Sequence, residues 1–385
     1  MRVLVAPDKF KGSLSAVEVA AAVAAGLRDA RPDLEVVQAP VADGGDGTVE
    51  AALGAGYTRV EVDAPGPTGR PVRTAYALAG PRAVVELADV VGLARLPGGR
   101  LDPLDASTFG LGVVVRAAIE RGATEIVLGL GGSASTDGGA GLVQALGAVL
   151  SDSDGRTLPP GGAALERAAH LDLTALRARL HGVSFVVASD VDHPLLGPGG
   201  AVTVFGPQKG AVGDQLVRLE SALTRWARLV AATTGADRSG LPGAGAAGGT
   251  GFAALAVLGA ELRPGIELVL DLIGFDRLLA GADLVVTGEG SLDLQSLAGK
   301  APVGVAQAAA RAHPPVPVVA VAGRSTLDPA VLRAAGILEV RTLLSLEPDL
   351  ATCIASAAPL LRRCGALLAD RLTSPPALPL PRRQP

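Results

Sequence analysis

The sequence predicts an α/β protein of two lobes, each with a mainly parallel sheet flanked by helices. Three observations lead to this prediction. Short runs of Val, Ile and Leu alternate with alanine-rich segments of helical period. Polar residues collect in the loops that follow those runs, and open α/β sheets bind ligands at such loops. The length of 385 residues favours two domains.

The elements are predicted from these runs in chain order. Strands are expected at residues 2–7, 35–40, 58–62, 83–87, 125–130, 184–189, 283–288 and 316–323. Helices are expected at residues 15–30, 108–121, 140–150, 213–234, 301–312 and 328–336. Ser13 or Ser15 can cap the first helix, and Glu18 stands at capping-box distance from Ser15. Nearly continuous aliphatic strands separated by helices indicate parallel pairing.

Domain boundaries are expected where Pro and Gly interrupt both helix and strand. The segment PGPTGRP at 65–71 is one candidate, and a second lies near 275–283. The expected lobes are a discontinuous outer lobe, residues 1–64 plus 282–373, and an inserted lobe, residues 65–281. We expect the active site in the cleft between them, and a simple split in half is the alternative.

Composition narrows the function classes. The net charge of −4 and the pI near 5.7 argue against a nucleic-acid partner. No aliphatic run reaches the length of a membrane span, and MRVLVAPDKF lacks a signal cleavage site, so a cytoplasmic protein is expected. Cys353 and Cys364 are expected to be reduced. The tail 374–385 is expected to be disordered. The oligomeric state stays open, with a homodimer among the alternatives.

The stretch GLGGSASTDGGAG at 129–141 has six glycines in thirteen residues. Glycine lets successive backbone N–H groups surround an anion, and hydroxyl side chains can add donors. Asp137 would repel a bare phosphate unless a divalent cation lay between them, which suggests phosphate with Mg²⁺. The alternative is a tight turn in which Asp137 caps the helix at 140–150. The candidate phosphate ligands are Gly131, Gly132, Ser133, Ser135 and Gly138.

Charged residues in other loops favour the functional interpretation. The four lysines, against thirty arginines, all lie in or beside glycine-containing loops: Lys9, Lys11, Lys209 and Lys300. Asp43 and Asp46 flank two glycines in VADGGDGT, where an Asx-turn is the alternative to substrate or metal binding. The stretch TGEGSLDLQSLAGK brings further polar side chains after a predicted strand: Glu289, Asp293, Gln295 and Lys300.

Several common signatures are missing from the sequence. It has no Walker-type loop, no GxSxG, and no His or Cys pairs at metal-binding spacing. GAGAAG at 243–248 matches G-x-G-x-x-G but follows RSGLP instead of a strand, so a dinucleotide site is rejected. Glycine loops, lysines and aspartates remain. Phosphoryl transfer needs little more than these, because its catalysis depends on positioning and charge neutralisation.

Together the motifs resemble the type-1 glycerate kinase family. The matching stretches are APDKFKGSLSA (6–16), PVADGGDGT (40–48), GGSASTDGGAGLVQALG (131–147), SDVDHPL (189–195), FGPQKGA (205–211), PGAGAAGG (242–249), TGEGSLDLQS (287–296) and GK (299–300). The resemblance implies phosphorylation of glycerate, dependent on ATP and Mg²⁺, to 2-phosphoglycerate or 3-phosphoglycerate. It also implies a two-domain α/β architecture with a discontinuous outer lobe.

The chain departs from the family pattern at a few positions. Thr136, His193 and Asp102 stand where asparagine is usual, and the chain contains no asparagine at all. We interpret these as replacements driven by composition. Ser291 stands where the family's GEGR-type motif commonly carries Arg. If that arginine binds the substrate carboxylate or the transferring phosphate, Arg324 or Lys300 could supply the missing charge.

The hypothesis assigns roles to these residues. The catalytic candidates are Asp190 or Asp293 as the proton acceptor, with Lys9. The substrate-binding candidates are Lys9, Lys11, Ser13, Asp43, Asp46, Glu289 and Gln295. Lys209 or Lys300 is expected to neutralise the ATP phosphates at the glycine loop. Asp137, or an aspartate of the pair Asp43 and Asp46, is expected to hold Mg²⁺ directly or through water. Two rival hypotheses are a dehydrogenase that uses GAGAAG and a non-catalytic binding protein for small carboxylate anions.

Overall fold

A computed structural model describes residues 1–372 of the chain. In chain order its strands are β1 (Arg2–Pro7), β2 (Glu35–Gln38), β3 (Thr58–Pro65), β4 (Pro71–Ala79), β5 (Arg82–Glu86), β6 (Glu125–Gly129), β7 (Val149–Ser151), β8 (His170–Asp172), β9 (Ser184–Ala188), β10 (Glu261–Arg263), β11 (Leu284–Leu292), β12 (Val318–Ser325) and β13 (Ile337–Thr342). The expected disordered tail at 374–385 lies outside the described residues.

The α-helices follow the predicted alternation with the strands. They are α1 (Ala16–Ala30), α2 (Thr48–Gly54), α3 (Leu87–Val91), α4 (Phe109–Glu120), α5 (Ala140–Ala145), α6 (Thr174–Arg179), α7 (Ala201–Phe205), α8 (Asp214–Thr234), α9 (Ala246–Ala256), α10 (Gly265–Leu272), α11 (Phe275–Leu279), α12 (Ala301–Arg311), α13 (Pro329–Ala334), α14 (Leu350–Ala355) and α15 (Ala357–Arg371). Within the described part of the chain, none of the helices combines the length and apolar character that a membrane crossing demands.

The first sheet has the strand order β13-β12-β11-β1-β2, and each neighbouring pair is parallel. Val3, Val5 and Val286 are fully buried in its central strands, against which α1, α12 and α15 pack. The register pairs Pro7 of β1 with Gly288 of β11. The residues that follow these two positions therefore begin side by side at the carboxyl edge of the sheet.

The second sheet has the order β10-β9-β6-β5-β4-β3. The pairs from β10 to β5 are parallel, and β4 and β3 continue the sheet as antiparallel strands. PGPTGRP is the connection between β3 and β4, where Pro65 lies opposite Pro71. The segment that we interpreted as a domain boundary therefore joins two paired strands of one sheet.

Contacts divide the described residues into two compact units, residues 1–43 with 266–372 and residues 44–265. Each unit has its own cluster of buried hydrophobic residues. The first cluster consists of residues between 3 and 34 and between 284 and 369, and the second consists of residues between 60 and 260. This division falls after residues 43 and 265, whereas the predicted domain boundaries fall after residues 64 and 281. The predicted domains themselves stay a prediction.

The predicted fold class is confirmed, since the chain is α/β with mainly parallel sheets flanked by helices. All eight predicted strands and all six predicted helices are present, with small differences at their ends. α5 is shorter than predicted because Gly147 adopts a φ of +113° and the chain then enters β7. The capping box is also confirmed: Ser15 Oγ accepts from Glu18 N, and the Glu18 carboxylate accepts from Ser15 N. The prediction missed β4, β7, β8, β10 and β13.

Candidate active site

In the second unit, the glycine-rich loop leaves the carboxyl end of β6 and enters α5. Its middle is buried, from Ser133 to Asp137. Gly138 N donates to Gly248 O at 3.0 Å, and Trp226 Nε1 donates to Gly138 O at 3.0 Å. The loop is therefore held by the start of α9 and by the indole of α8.

The segment GAGAAG packs against the backbone of this loop. It is preceded by α8 and leads into α9. Gly248 has a φ of +66°, and a Cβ there would lie 2.1 Å from Ser135 O. Only glycine allows the two backbones to approach so closely. The segment thus packs against the other glycine loop.

Lys209 is buried and fastens the glycine loop from one side. Its Nζ donates to Ser133 Oγ at 2.7 Å and to Ser135 O at 2.6 Å. Burial lowers the pKa of Lys209 to about 7, and the negative charge of Asp137 opposes that shift. The ammonium group therefore stabilises the conformation of the loop. The expected contact of Lys209 with ATP stays a prediction.

Asp137 is fully buried, and its carboxylate accepts five hydrogen bonds. Oδ1 accepts from Gly139 N, and Oδ2 accepts from Ser107 Oγ, Thr108 N, Thr108 Oγ1 and Gly141 N. These donors fix the loop to the N-terminal ends of α4 and α5. Among residues 1–372 there is no group of three or more His, Cys, Asp or Glu suited to a metal ion. The role of Asp137 as a Mg²⁺ ligand stays a prediction.

Two hydroxyls of the loop offer donors that the protein does not use. Ser135 Oγ and Thr136 Oγ1 are buried and have no hydrogen-bond partner in the described residues. A buried polar group without a partner costs free energy, so such groups often mark a ligand. Hydroxyl donors beside glycine backbone fit the oxygens of a phosphate, which accept only.

The loop with Asp46 lies against the glycine-rich loop. A Cβ on Gly131 would be 2.9 Å from the Cα of Gly45 and 3.4 Å from Asp46 N. A Cβ on Gly44 would be 2.6 Å from the Cα of Gly265 at the end of the unit. Asp190 Oδ1 accepts from that same Gly265 N at 2.8 Å. The second unit therefore brings together Asp46, Asp190 and the glycine-rich loop.

Sequence reasoning missed Glu86, the last residue of β5. Its buried carboxylate accepts from Gly47 N at 3.0 Å and from Val49 N at 3.2 Å, at the start of α2. Burial, followed by the charges of Asp89 and Asp46, raises the pKa of Glu86 to about 8. Glu86 thus orients the loop that contains Asp46. Its only sequence signal is an acidic residue at the end of a buried aliphatic strand.

In the first unit, Asp8 and Glu289 follow paired positions of β1 and β11. Asp8 N donates to Gly288 O at 2.8 Å. Burial raises the pKa of Asp8 to about 7, the charges of Asp43 and Glu289 add to this, and Lys9 opposes it. Burial also raises the pKa of Glu289, whose Oε1 has no hydrogen-bond partner in the described residues. Asp8 was missed, although it stands inside the motif APDKFKGSLSA.

The lysine loop after β1 surrounds this carboxyl pair. Lys9 N donates to Asp8 Oδ1 at 2.6 Å, and Lys11 is exposed. Ser13 Oγ instead donates to Ile354 O at 2.8 Å, so its hydroxyl supports the fold of this unit. The structure therefore brings Lys9 and Asp43 together with Glu289, and it gives Ser13 a structural contact.

The residues after β11 form a turn beside the same edge. Asp293 Oδ1 accepts from Gln295 N at 2.9 Å, and Lys300 Nζ donates to Gln295 Oε1 at 3.3 Å. The positive charge of Lys300 lowers the pKa of Glu289, against the larger effect of burial. Asp293, Gln295 and Lys300 are therefore close to Glu289, in the first unit.

Comparisons with known proteins identify the family. A model of the glycerate kinase family matches residues 3–373. The chain is 43% identical to a glycerate kinase of Bacillus subtilis strain 168 over 85% of this chain and 86% of that protein. It is 43% identical to the glycerate 2-kinase of Escherichia coli K12 over 90% and 91%. A crystal structure from Salmonella typhimurium LT2, provisionally assigned as glycerate kinase 2, superposes with a TM-score of 0.84 at 43% identity over 97% and 98%.

The match spans the loops in which the candidate residues lie, from the lysine loop after β1 to the turn after β11. Those loops follow parallel strands in each unit and carry glycines, lysines and carboxylates, the residue types that phosphoryl transfer uses. The predicted resemblance is thereby confirmed, and this chain belongs to the glycerate kinase family.

Proposed function

We propose that this member of the family transfers the terminal phosphoryl group of ATP directly to a hydroxyl of glycerate, with the help of Mg²⁺. The family match over residues 3–373 is the observation that carries the proposal. The named activity of the Escherichia coli relative, a glycerate 2-kinase at 43% identity, favours 2-phosphoglycerate over 3-phosphoglycerate as the product.

The second unit is proposed to bind the nucleotide phosphates. The buried hydroxyls of Ser135 and Thr136, which have no hydrogen-bond partner among residues 1–372, support this assignment. Gly131, Gly132, Ser133 and Gly138 belong to the same loop, which Lys209 holds. The backbone of such a loop donates N–H groups to phosphate oxygens, and Lys209 contributes positive charge. Lys300 belongs to the first unit and stays the alternative lysine.

Asp46 is proposed as the main protein ligand of Mg²⁺. Its side chain is exposed and lies in the loop beside Gly131, whereas the carboxylate of Asp137 is saturated by hydrogen bonds. When bound, Mg²⁺ neutralises charge on the transferring phosphate oxygens. Asp137 stays an alternative ligand. It would contact Mg²⁺ through a water molecule, or it would act only by fixing the position of the loop.

The first unit is proposed to bind glycerate and to accept its hydroxyl proton. We favour Asp8 as the acceptor, because its buried carboxyl has a pKa of about 7 and a proton acceptor works best near the operating pH. Asp293 and Asp190 stay as alternatives. Lys9 and Lys11 are proposed to attract the substrate carboxylate, with Asp43, Glu289 and Gln295 binding its hydroxyl groups.

A direct assay tests the proposal. The pure protein is incubated with D-glycerate, ATP and Mg²⁺, and the products are identified by phosphorus NMR. We expect the 2-phosphoglycerate resonance to grow as ADP forms, and neither to appear without glycerate. Binding of glycerate without ATP turnover would instead support the non-catalytic binding protein. Growth of the 3-phosphoglycerate resonance would keep the reaction and change the position of transfer.

A further inference from the structure

Ser291 and Arg324 form a cross-strand pair at the carboxyl edge of the first sheet. Their Cα atoms are register partners in the parallel strands β11 and β12. Arg324 Nε donates to Ser291 Oγ at 3.1 Å. One edge of the guanidinium is thus held by a neutral hydroxyl, which leaves the charge of the arginine uncompensated by this contact.

Some exposed arginines of this chain contact an acid. Arg73 pairs with Glu61, and Arg218 pairs with Glu166 at 3.0 Å. Arg324 is exposed, and in residues 1–372 no carboxylate lies within ion-pair distance of it. A planar guanidinium held on one side can still present paired N–H donors to an incoming carboxylate.

The position of the pair connects it with the carboxyl cluster. Glu289 and Ser291 are two residues apart on β11, so their side chains point to the same face of the sheet. A Cβ on Gly323 would lie 2.5 Å from Gly290 O, and one on Gly290 would lie 3.4 Å from Lys11 N. Arg324 and the lysine loop therefore approach the end of β11 from its two neighbouring strands.

We propose that Arg324 binds the carboxylate of the hydroxy-acid substrate and that Ser291 positions its guanidinium. The proposal rests on the proposed function and deepens it, since it names the group that selects an acid over an uncharged alcohol. Arg324 on β12 adds its charge to that of Lys9 and Lys11, and it stands at the register partner of Ser291, the position where the family motif commonly carries arginine.

The test compares the binding of D-glycerate with that of D-glyceramide, whose amide carries no charge. Dissociation constants are measured by calorimetry with a non-hydrolysable ATP analogue and Mg²⁺ present. Arg324→Gln is expected to weaken glycerate binding about 10- to 100-fold, the usual effect of losing a charged hydrogen-bonded pair, and to leave glyceramide binding unchanged. Ser291→Ala is expected to weaken only glycerate binding, roughly 2- to 10-fold.

Arg333→Gln, an exposed arginine on α13, is the matched control and should bind both ligands as the wild type does. A second variant tests position: Ser291→Arg with Arg324→Ser moves the guanidinium to the partner strand and should regain part of the lost glycerate binding. Unchanged glycerate binding by Arg324→Gln, or equal losses for both ligands, overturns the inference. If the wild type binds no glycerate, the inference and the proposed function both fail; if it binds without phosphorylating, only the proposed function fails.

Discussion

Asp8 and Lys209 are ionisable residues whose pKa values move towards neutrality for the same reason. Burial disfavours the charged form, which raises the pKa of a carboxyl and lowers that of an amine. Asp8 reaches about 7 with the added repulsion of Asp43 and Glu289, and Lys209 falls to about 7 despite the attraction of Asp137. Such shifts concentrate at functional sites, and each of these side chains is fixed by a backbone contact.

Asp8→Asn tests the proposed proton acceptor. Asp8 must be ionised to accept a proton, so the wild-type rate should rise as the pH increases through about 7. The variant should lose that rise and be slower by about 100-fold or more at pH 8. The measurement is kcat/KM for glycerate between pH 5.5 and pH 9.

Asp33→Asn is the control for this change. Asp33 is exposed, and the hydrogen bond from Arg31 lowers its pKa to about 2, so the pH profile of this variant should stay that of the wild type.

The folding of Asp8→Asn must be checked separately. The raised pKa means that folded Asp8 holds its proton over a pH range in which unfolded Asp8 does not, so its contribution to stability falls between about pH 4 and pH 7. Asp8→Asn should therefore be at least as stable as the wild type at pH 8. An unchanged pH–rate profile would remove Asp8 from the role.

Lys209→Met tests the fastening of the glycine loop. The substitution leaves Ser133 Oγ and Ser135 O without their donor and should cost about 1–3 kcal/mol of stability. The lowered pKa means that the unfolded chain binds more protons between about pH 7 and pH 10, so the wild type gains stability from this lysine as the pH rises. The loss should therefore be larger at pH 9 than at pH 6.5.

Thermal midpoints at the two pH values measure this difference. Lys11→Met, at an exposed lysine, should change neither midpoint by more than a small amount. A loss that shrinks as the pH rises would contradict a buried lysine with a lowered pKa.

At the scale of elements, two glycine segments depend on each other. The loop between β6 and α5 and the segment that leads into α9 are in backbone contact, through Gly138 N and Gly248 O. Each is irregular alone, and together they create the surface that we propose for phosphate. The geometry therefore belongs to the pair of segments.

Gly248→Ala tests this contact, with Gly259→Ala as a matched control. Both glycines have nearly equal φ values, +66° and +67°, so alanine meets the same backbone strain of about 1 kcal/mol at each. A Cβ at 259 has nothing within 4 Å, whereas at 248 it would lie 2.1 Å from Ser135 O. Gly248→Ala should lose about 1–3 kcal/mol more and should raise the KM for ATP.

Urea unfolding and ATP titration of both variants provide the measurement. Similar losses for the two variants would mean that the loop moves away from the added methyl group at little cost, and the proposed interdependence would then be wrong.

At the scale of the whole molecule, the two units have separate hydrophobic cores. The core of residues 44–265 takes all its buried members from within that range, and Trp226 on α8 is its largest side chain. A contiguous range with its own core is the usual condition for independent folding.

Expression of residues 44–265 alone tests this. We expect cooperative thermal unfolding and no phosphorylation of glycerate, because the proposed glycerate ligands belong to the other unit. A shorter fragment, residues 44–200, lacks α8 and α9 and should not unfold cooperatively. Broad, non-cooperative melting of the longer fragment would refute its independence.

Local patterns in the sequence were enough to predict the fold class and most strands. The aliphatic run of β1 and the capping box of α1 act within a few residues, so no distant contact is needed to recognise them. β4 and β13 mix charged with apolar residues, and their strand state depends on pairing with β5 and β12. The short strands β7, β8 and β10 carry too few residues for any period to be visible.

The motifs likewise located the loops of the site, because glycines, lysines and aspartates after aliphatic runs are visible in one dimension. Burial is not visible there. Asp8 and Glu86 become unusual only when a low-polarity environment and neighbouring charges act on them. The donors around Asp137 come from as far as 30 residues away, and the partner of Ser291 is 33 residues distant. Residue types follow from the sequence, whereas their charge states and partners depend on which distant segments the tertiary structure packs around them.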